Sequence, residues 1–312
     1  MRVGAHYSKN GIINTIEHMA TVGMSAVQIY VSPNQNMKSG TKFSDKEVEK
    51  ILHYREHNNL YMVVHGKLLY NFVRPNASTQ WQKNSLILDL IEANRINANV
   101  IIHQGKNLKE FKLTNDEAMD QYVQNLEEIL DETKDLKNKI ILENSSRQGT
   151  EMGYTLDDLE KIYNKFKTKE RIGFCIDLCH VFVSGELDVR SPDKVNEFFL
   201  SFEKKFGRNK LEVIHFNDSR IKFNGKNDNH GDLLVGFIGN TVLDGNPNGF
   251  KRVVEIATEW DVPLILETKG EIPAYEQAQL MLNWDGYIDE YINKFGDIIT
   301  KFGNNPKCNK SH

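Results

Sequence analysis

The chain has 312 residues, 39% hydrophobic and 26% charged, enough for one large α/β barrel core or two smaller domains. Its net charge of -4 excludes a bulk polycation, so any nucleic-acid partner must meet a local basic surface. Three cysteines exclude a disulfide framework and fit a reducing compartment; with no apolar run fit for a secretory signal or a membrane span, the expectation is an intracellular protein.

Short apolar runs alternate with amphipathic segments from end to end. Residues 3–5 are expected as a strand ending at His6, and residues 11–22 as a helix with Ile12, Ile13, Ile16, Met19 and Ala20 at helical spacing. A second strand over 26–31 leads into a polar loop, 32–42. Ser44 and Glu47 then form a capping box for a helix that reaches about His57. A third strand, 60–64, ends at His65, and a helix follows over 79–98. A fourth, 100–102, ends at His103, and Asn115 or Asp116 is expected to cap the next helix, which runs to about Thr133. The fifth, 139–142, ends at Glu143, after which Thr155, with Asp158, opens another helix.

The stretch from Arg171 to His180 reads as a buried strand with Ile172, Phe174 and Ile176 as its bulk. It stops on Asp177 and, three residues later, on His180. Pro192 suits the first turn of a helix that ends near Phe206 and Gly207. A seventh strand, 211–214, ends at His215, and a long loop, 217–248, precedes a helix over 250–260. The eighth strand, 263–266, ends at Glu267, and a final helix covers 272–284. Eight strand–helix units with right-handed crossovers describe a (β/α)8 TIM barrel. Residues 1–295 are read as one catalytic domain and 296–312 as a polar, poorly ordered tail.

Seven of the eight strands end on His, Asp or Glu: His6, His65, His103, Glu143, Asp177, His215 and Glu267. Barrel closure gathers these ends at one face, where ligands of parallel sheets bind. Buried together, the imidazoles and carboxylates would be frustrated unless cations sat among them. Imidazole with carboxylate and no thiolate points to zinc, manganese or iron. His180 and the pair Asp228 and His230 add further ligands, too many for one ion, so two or three metals are implied. A lone strand-end histidine is more often structural, and His6 is placed in that class. Cys175 and Cys179 are read as core.

The residues now resemble a known family, the endonuclease IV-type apurinic/apyrimidinic endonucleases. The matches are Val64-His65-Gly66, Ile102-His103, Leu142-Glu143-Asn144, Cys175-Ile-Asp-Leu-Cys-His180, His215-Phe-Asn-Asp218, Asp228-Asn-His230 and Leu264-Ile-Leu-Glu267, in order and at strand ends. The resemblance implies a TIM barrel with three zinc ions: one on His65, His103 and Glu143; a second on Glu143, Asp177, His215 and Glu267; a third on His180, Asp228 and His230. It implies DNA repair by hydrolysis of the phosphodiester 5′ to an abasic site in duplex DNA, through a metal-bound hydroxide. Glu143, Asp177 and Glu267 are the expected catalytic carboxylates, and the protein is expected to act as a monomer.

DNA contacts are expected from loops on the same face, at Gln35, Asn36, Lys67, Leu68, Tyr70, Arg147, Lys222 and Lys226. Tyr7, Tyr30, Tyr70 and Phe72 are candidate wedges beside an extruded sugar. The chain departs from the family pattern at Asn36, where the family has an arginine wedge. It departs again at Leu68, in place of a tyrosine wedge, and at Val235, in place of a glutamate. The alternative is a metal-dependent sugar isomerase or epimerase on a related barrel. His103 and the pair Asp228 and His230 speak against it, because a third metal has no role in a proton or hydride shift. A non-catalytic DNA-binding barrel would have lost ligands, and none is lost.

Overall fold

The computed structural model describes residues 1–33, 42–75, 78–244, 248–268 and 270–303. In chain order the elements are β1 (Val3–Tyr7), α1 (Ile12–Thr21), β2 (Ala26–Ile29), α2 (Asp45–His57), β3 (Tyr61–His65), α3 (Gln80–Arg95) and β4 (Asn99–His103). Then come α4 (Asn115–Glu132), β5 (Ile140–Glu143), α5 (Leu156–Lys165), β6 (Ile172–Asp177), α6 (Leu178–Ser184), α7 (Pro192–Phe206) and β7 (Leu211–His215). The chain ends with β8 (Asp218–Ser219), β9 (His230–Gly231), α8 (Gly249–Glu259), β10 (Leu264–Leu266), α9 (Ala274–Leu282) and α10 (Trp284–Gly303).

Eight of the strands close into a parallel barrel in the order β1-β10-β7-β6-β5-β4-β3-β2. They are apolar almost throughout because helices cover the outer face and side chains fill the inside. The interior has a regular stacking. Ala26, Val63, Ile101, Ile141, Cys175, Val213 and Ile265 form a buried apolar cluster of their own. Side chains two residues apart on a strand share a face. The next inward position on each strand is therefore Gln28, His65, His103, Glu143, Asp177, His215 or Glu267. On β1 the same step runs from Gly4 to His6. Gly4 is required there, since a Cβ would lie 1.5 Å from the Ala26 carbonyl oxygen of the adjoining strand. One polar layer thus rests on one apolar layer.

The capping box at Ser44 and Glu47 forms as expected, with both hydrogen bonds present. The cap of α4 lies one residue earlier than expected, at Thr114, which pairs reciprocally with Glu117. Asn115 and Asp116 occupy the first turn instead, where a carboxylate favours the positive end of the helix. The short helix α6 was not anticipated, because every residue in it is buried and no helical period shows. The long loop folds back as an antiparallel β8–β9 hairpin. Beyond Asn283 the last helix resumes and runs to Gly303, so residues 296–303 of the expected tail are helical; the others lie outside the described residues. Among the described residues no helix is long and apolar enough to cross a membrane.

Candidate metal centre

Strand register sets the site. Across β4 and β5, His103 faces Glu143, and across β6 and β7, Asp177 faces His215. Glu143 is the hub: its Oε2 lies 3.4 Å from His65 Nε2 and 3.1 Å from His103 Nε2, and its Oε1 lies 3.0 Å from His215 Nδ1. His215 Nδ1 is also 3.1 Å from Glu267 Oε2 and 3.7 Å from Asp177 Oδ2. On the other side, Asp228 spans two imidazoles, 3.3 Å from His180 Nε2 and 3.0 Å from His230 Nε2. The ligand atoms of His65, His103 and Glu143 lie within 4.8 Å of one another, as do those of His180, Asp228 and His230, and those of Glu143, Asp177, His215 and Glu267.

These groups have the character of metal ligands. Glu143 Oε2, His180 Nε2 and His230 Nε2 are buried yet make no well-formed hydrogen bond, although charged neighbours crowd them. Buried polar atoms are nearly always satisfied, and a cation between them satisfies several at once. The surrounding shell fits the same use. His65 Nδ1 donates to the Gly66 carbonyl at 2.7 Å, and His180 Nδ1 donates to the Asn144 carbonyl at 2.9 Å. A carbonyl only accepts, so in the neutral form of each ring Nε2 keeps the lone pair and faces the carboxylates. Asp177 caps α6 by accepting from the His180 backbone N–H with Oδ1, which leaves Oδ2 for the site.

Electrostatics agrees. Burial pulls the imidazoles of His180 and His230 down, but the charges of Asp177 and Asp228 outweigh it. His180 ends well above its ordinary value and His230 is pushed up to about 9. Burial pushes Asp228 up, and His180 and His230 pull it much further down. The carboxylates around His180 and His230 thus favour positive charge at this end of the site. His6 behaves differently: burial lowers it to about 4 and keeps it neutral. A cavity of about 310 Å³ opens above the cluster, walled by His6, Tyr30, Leu68 and Thr268 besides the ligands.

Comparison with known proteins places this arrangement. A family model described as a xylose isomerase-like TIM barrel matches residues 16–284. A putative endonuclease 4 of Acanthamoeba polyphaga mimivirus is 37% identical over 275 residues, 86% of this chain and 85% of that one. The chain belongs to the endonuclease IV family. The crystal structure of endonuclease IV from Thermus thermophilus superposes with a TM-score of 0.74 at 23% identity, covering 93% of this chain and 100% of that one. A D-tagatose 3-epimerase-like protein superposes at 0.63 with 18% identity, over 96% and 99% of the two chains, and shares the fold.

The expected DNA-contact residues of this endonuclease IV family member do not gather in one place. Leu68 is 44% exposed and lines the cavity mouth. Lys222 and Lys226 are exposed on the loop after β7, which is pinned to α6 by a hydrogen bond from the Lys226 N–H to the Val183 carbonyl. Arg147, in a left-handed conformation at φ 63°, stacks on Tyr154 and lines a separate cleft of about 500 Å³. Gln35 and Asn36 lie outside the described residues.

Lys67 and Tyr70 require correction, since both are buried. Lys67 Nζ donates to Ser32 Oγ and the Pro33 carbonyl, Ser32 donates to Asp89, and Tyr70 OH donates to the other oxygen of Asp89. They tie the loops after β2 and β3 to α3 instead of standing out from the rim. Phe72 is buried too, which removes it as a wedge. The sequence alone assigns no role to the uncharged Gln28, Asn144 and Asn217, although both asparagines stand in the matched motifs. Asn144 Oδ1 accepts from the Asp177 N–H, Asn217 Nδ2 donates to Asp177 Oδ2, and Asn217 Oδ1 accepts from the Glu267 N–H. For the two asparagines the available signal was adjacency to strand-end ligands; for Gln28 it was the two-residue step from Ala26.

Proposed function

We propose that this family member is a zinc-dependent apurinic/apyrimidinic endonuclease of DNA repair. It would hydrolyse the phosphodiester 5′ to an abasic site in duplex DNA, giving a 3′-hydroxyl and a 5′-deoxyribose phosphate, and trim blocked 3′ ends at the same site. The observation that carries this reading is the meeting of three ligand groups around one cavity, two of them sharing Glu143. We assign one zinc to each group: His65, His103 and Glu143; Glu143, Asp177, His215 and Glu267; His180, Asp228 and His230. Imidazole and carboxylate donors without thiolate suit that ion. Zinc held there supplies positive charge against an anionic phosphodiester and acidifies water to a pKa of about 7.

The protein's own groups then have defined parts. Burial raises Glu143, but His103 and His215 hold it well below the ordinary carboxylate range; Glu267, raised by burial and lowered by His215, lies at about 2. Both stay ionised at neutral pH, which suits ligands and not proton donors. Leu68 takes the wedge position at the mouth, and Lys222, Lys226 and Arg147 meet phosphates on the flanking loops; Gln35 and Asn36 are further proposed DNA contacts. The enzyme acts as a monomer inside the cell.

The test is a duplex carrying a single tetrahydrofuran abasic analogue, with elemental analysis of the purified protein. The expected result is close to three zinc ions per chain, and nicking that EDTA abolishes and zinc restores. One metal per chain with ketose formation from an aldose would replace this reading by a sugar isomerase.

A further inference from the structure

Three histidines of the centre have one ring nitrogen engaged by an outer partner. For His65 and His180 the partner is a backbone carbonyl, Gly66 and Asn144 respectively. For His215 it is a side chain, Gln28, fully buried on β2, whose Oε1 lies 2.8 Å from His215 Nε2. The same amide meets Glu267 Oε1 through Nε2 and lies 3.0 Å from His6 Nδ1.

The direction of this network is fixed by its acidic end. A carboxylate only accepts, so the amide nitrogen of Gln28 must face Glu267, and its second N–H is left for His6 Nδ1. The amide oxygen is then turned to His215, whose Nε2 must donate. A neutral His215 is thereby left with its lone pair on Nδ1, the atom that faces Glu143, Glu267 and Asp177. His215 thus offers Nδ1, whereas His65 and His180 offer Nε2.

We propose that Gln28 is a positioning residue. It selects the ring nitrogen that His215 presents and orients Glu267, and so sets zinc affinity at the group formed by Glu143, Asp177, His215 and Glu267. This rests on the zinc assignment above. Outer partners of ligating histidines are worth about 10- to 100-fold in metal affinity.

Two variants test it. Gln28→Met keeps the length of the side chain and removes both polar functions. Gln28→Glu keeps volume and the acceptor for His215 but sets a carboxylate against Glu267, so a packing role would leave it neutral. Zinc binding is measured by titration and elemental analysis, with circular dichroism to verify folding and long-range ¹H–¹⁵N histidine spectra to report ring protonation. Both variants should hold one zinc about 10- to 100-fold more weakly and keep the others. Wild-type protein should show one zinc-bound histidine protonated at Nε2 and coordinated through Nδ1, a signature that Gln28→Met should reach only at higher zinc concentration. Wild-type zinc affinity in both variants would overturn the role of Gln28 and leave the nuclease standing. A wild-type protein that takes up no zinc would overturn both.

Discussion

Glu143 carries more of the site than any other single side chain, since both its oxygens face imidazoles from three different strands. Glu143→Gln preserves volume and removes the shared charge. Removing one group that stabilises developing charge typically costs about 10²- to 10³-fold in rate, and Glu143 is shared by two ligand groups, so nicking should fall by at least about 10²-fold while the circular dichroism spectrum is unchanged. Wild-type turnover in that variant would contradict the assignment. Asp228 sits at the rim, between His180 and His230. Asp228→Ala should lower turnover more than duplex affinity, measured by gel shift with the metal-depleted enzyme; a parallel fall would mean that this group mainly docks DNA. At this scale the strand-end ligands were legible because each falls at the end of an apolar run, and His180, Asp228 and His230 because they match a family motif. Gln28 was not: it lies inside β2 and carries no charge, and only its register with the other strands gives it away.

Loops decide how those residues are held. The segment after β3 looks on paper like a DNA-binding rim, with Lys67, Leu68 and Tyr70 in close succession. Folding splits the three: Leu68 faces out, while Lys67 and Tyr70 turn inward to the Asp89 network that joins two rim loops to α3. A lysine that bonds phosphate and one that bonds a buried hydroxyl share one letter, so composition could not separate them. Lys67→Met should therefore cost about 1–3 kcal/mol in urea denaturation, the penalty for leaving buried acceptors unsatisfied. The salt dependence of duplex binding should stay unchanged, because no phosphate contact is lost. A slope shallower by about one ion would restore Lys67 to the DNA interface. The β8–β9 hairpin was equally hidden, since strands of two residues leave no periodic trace.

For the whole molecule, the polar layer makes stability depend on what fills it. In the metal-free chain His230 is raised from 6.5 to about 9, so its contribution is complete below pH 6.5 and is lost as pH rises through about 9. Glu267 is lowered from 4.5 to about 2, so its contribution is present above pH 4.5 and is lost as pH falls through about 2. Zinc requires deprotonated imidazole and gains affinity over the range in which His230 gives up its proton. The difference in Tm between zinc-loaded and EDTA-treated protein should therefore widen from about pH 6 to about pH 9; a narrowing gap would contradict the ligand set. The barrel itself was readable from its alternating strands and helices. The layered interior was not, because it exists only once closure sets the strands side by side. That layering carries one more consequence. Among the described residues, the seven apolar side chains from Ala26 to Ile265 stopper the barrel beneath the ligands, so an ion enters and leaves by the mouth across which a duplex would be laid. A chelator must then wait its turn: stripping should stall while nicked DNA remains in place, and the rate of metal loss becomes a clock for product departure.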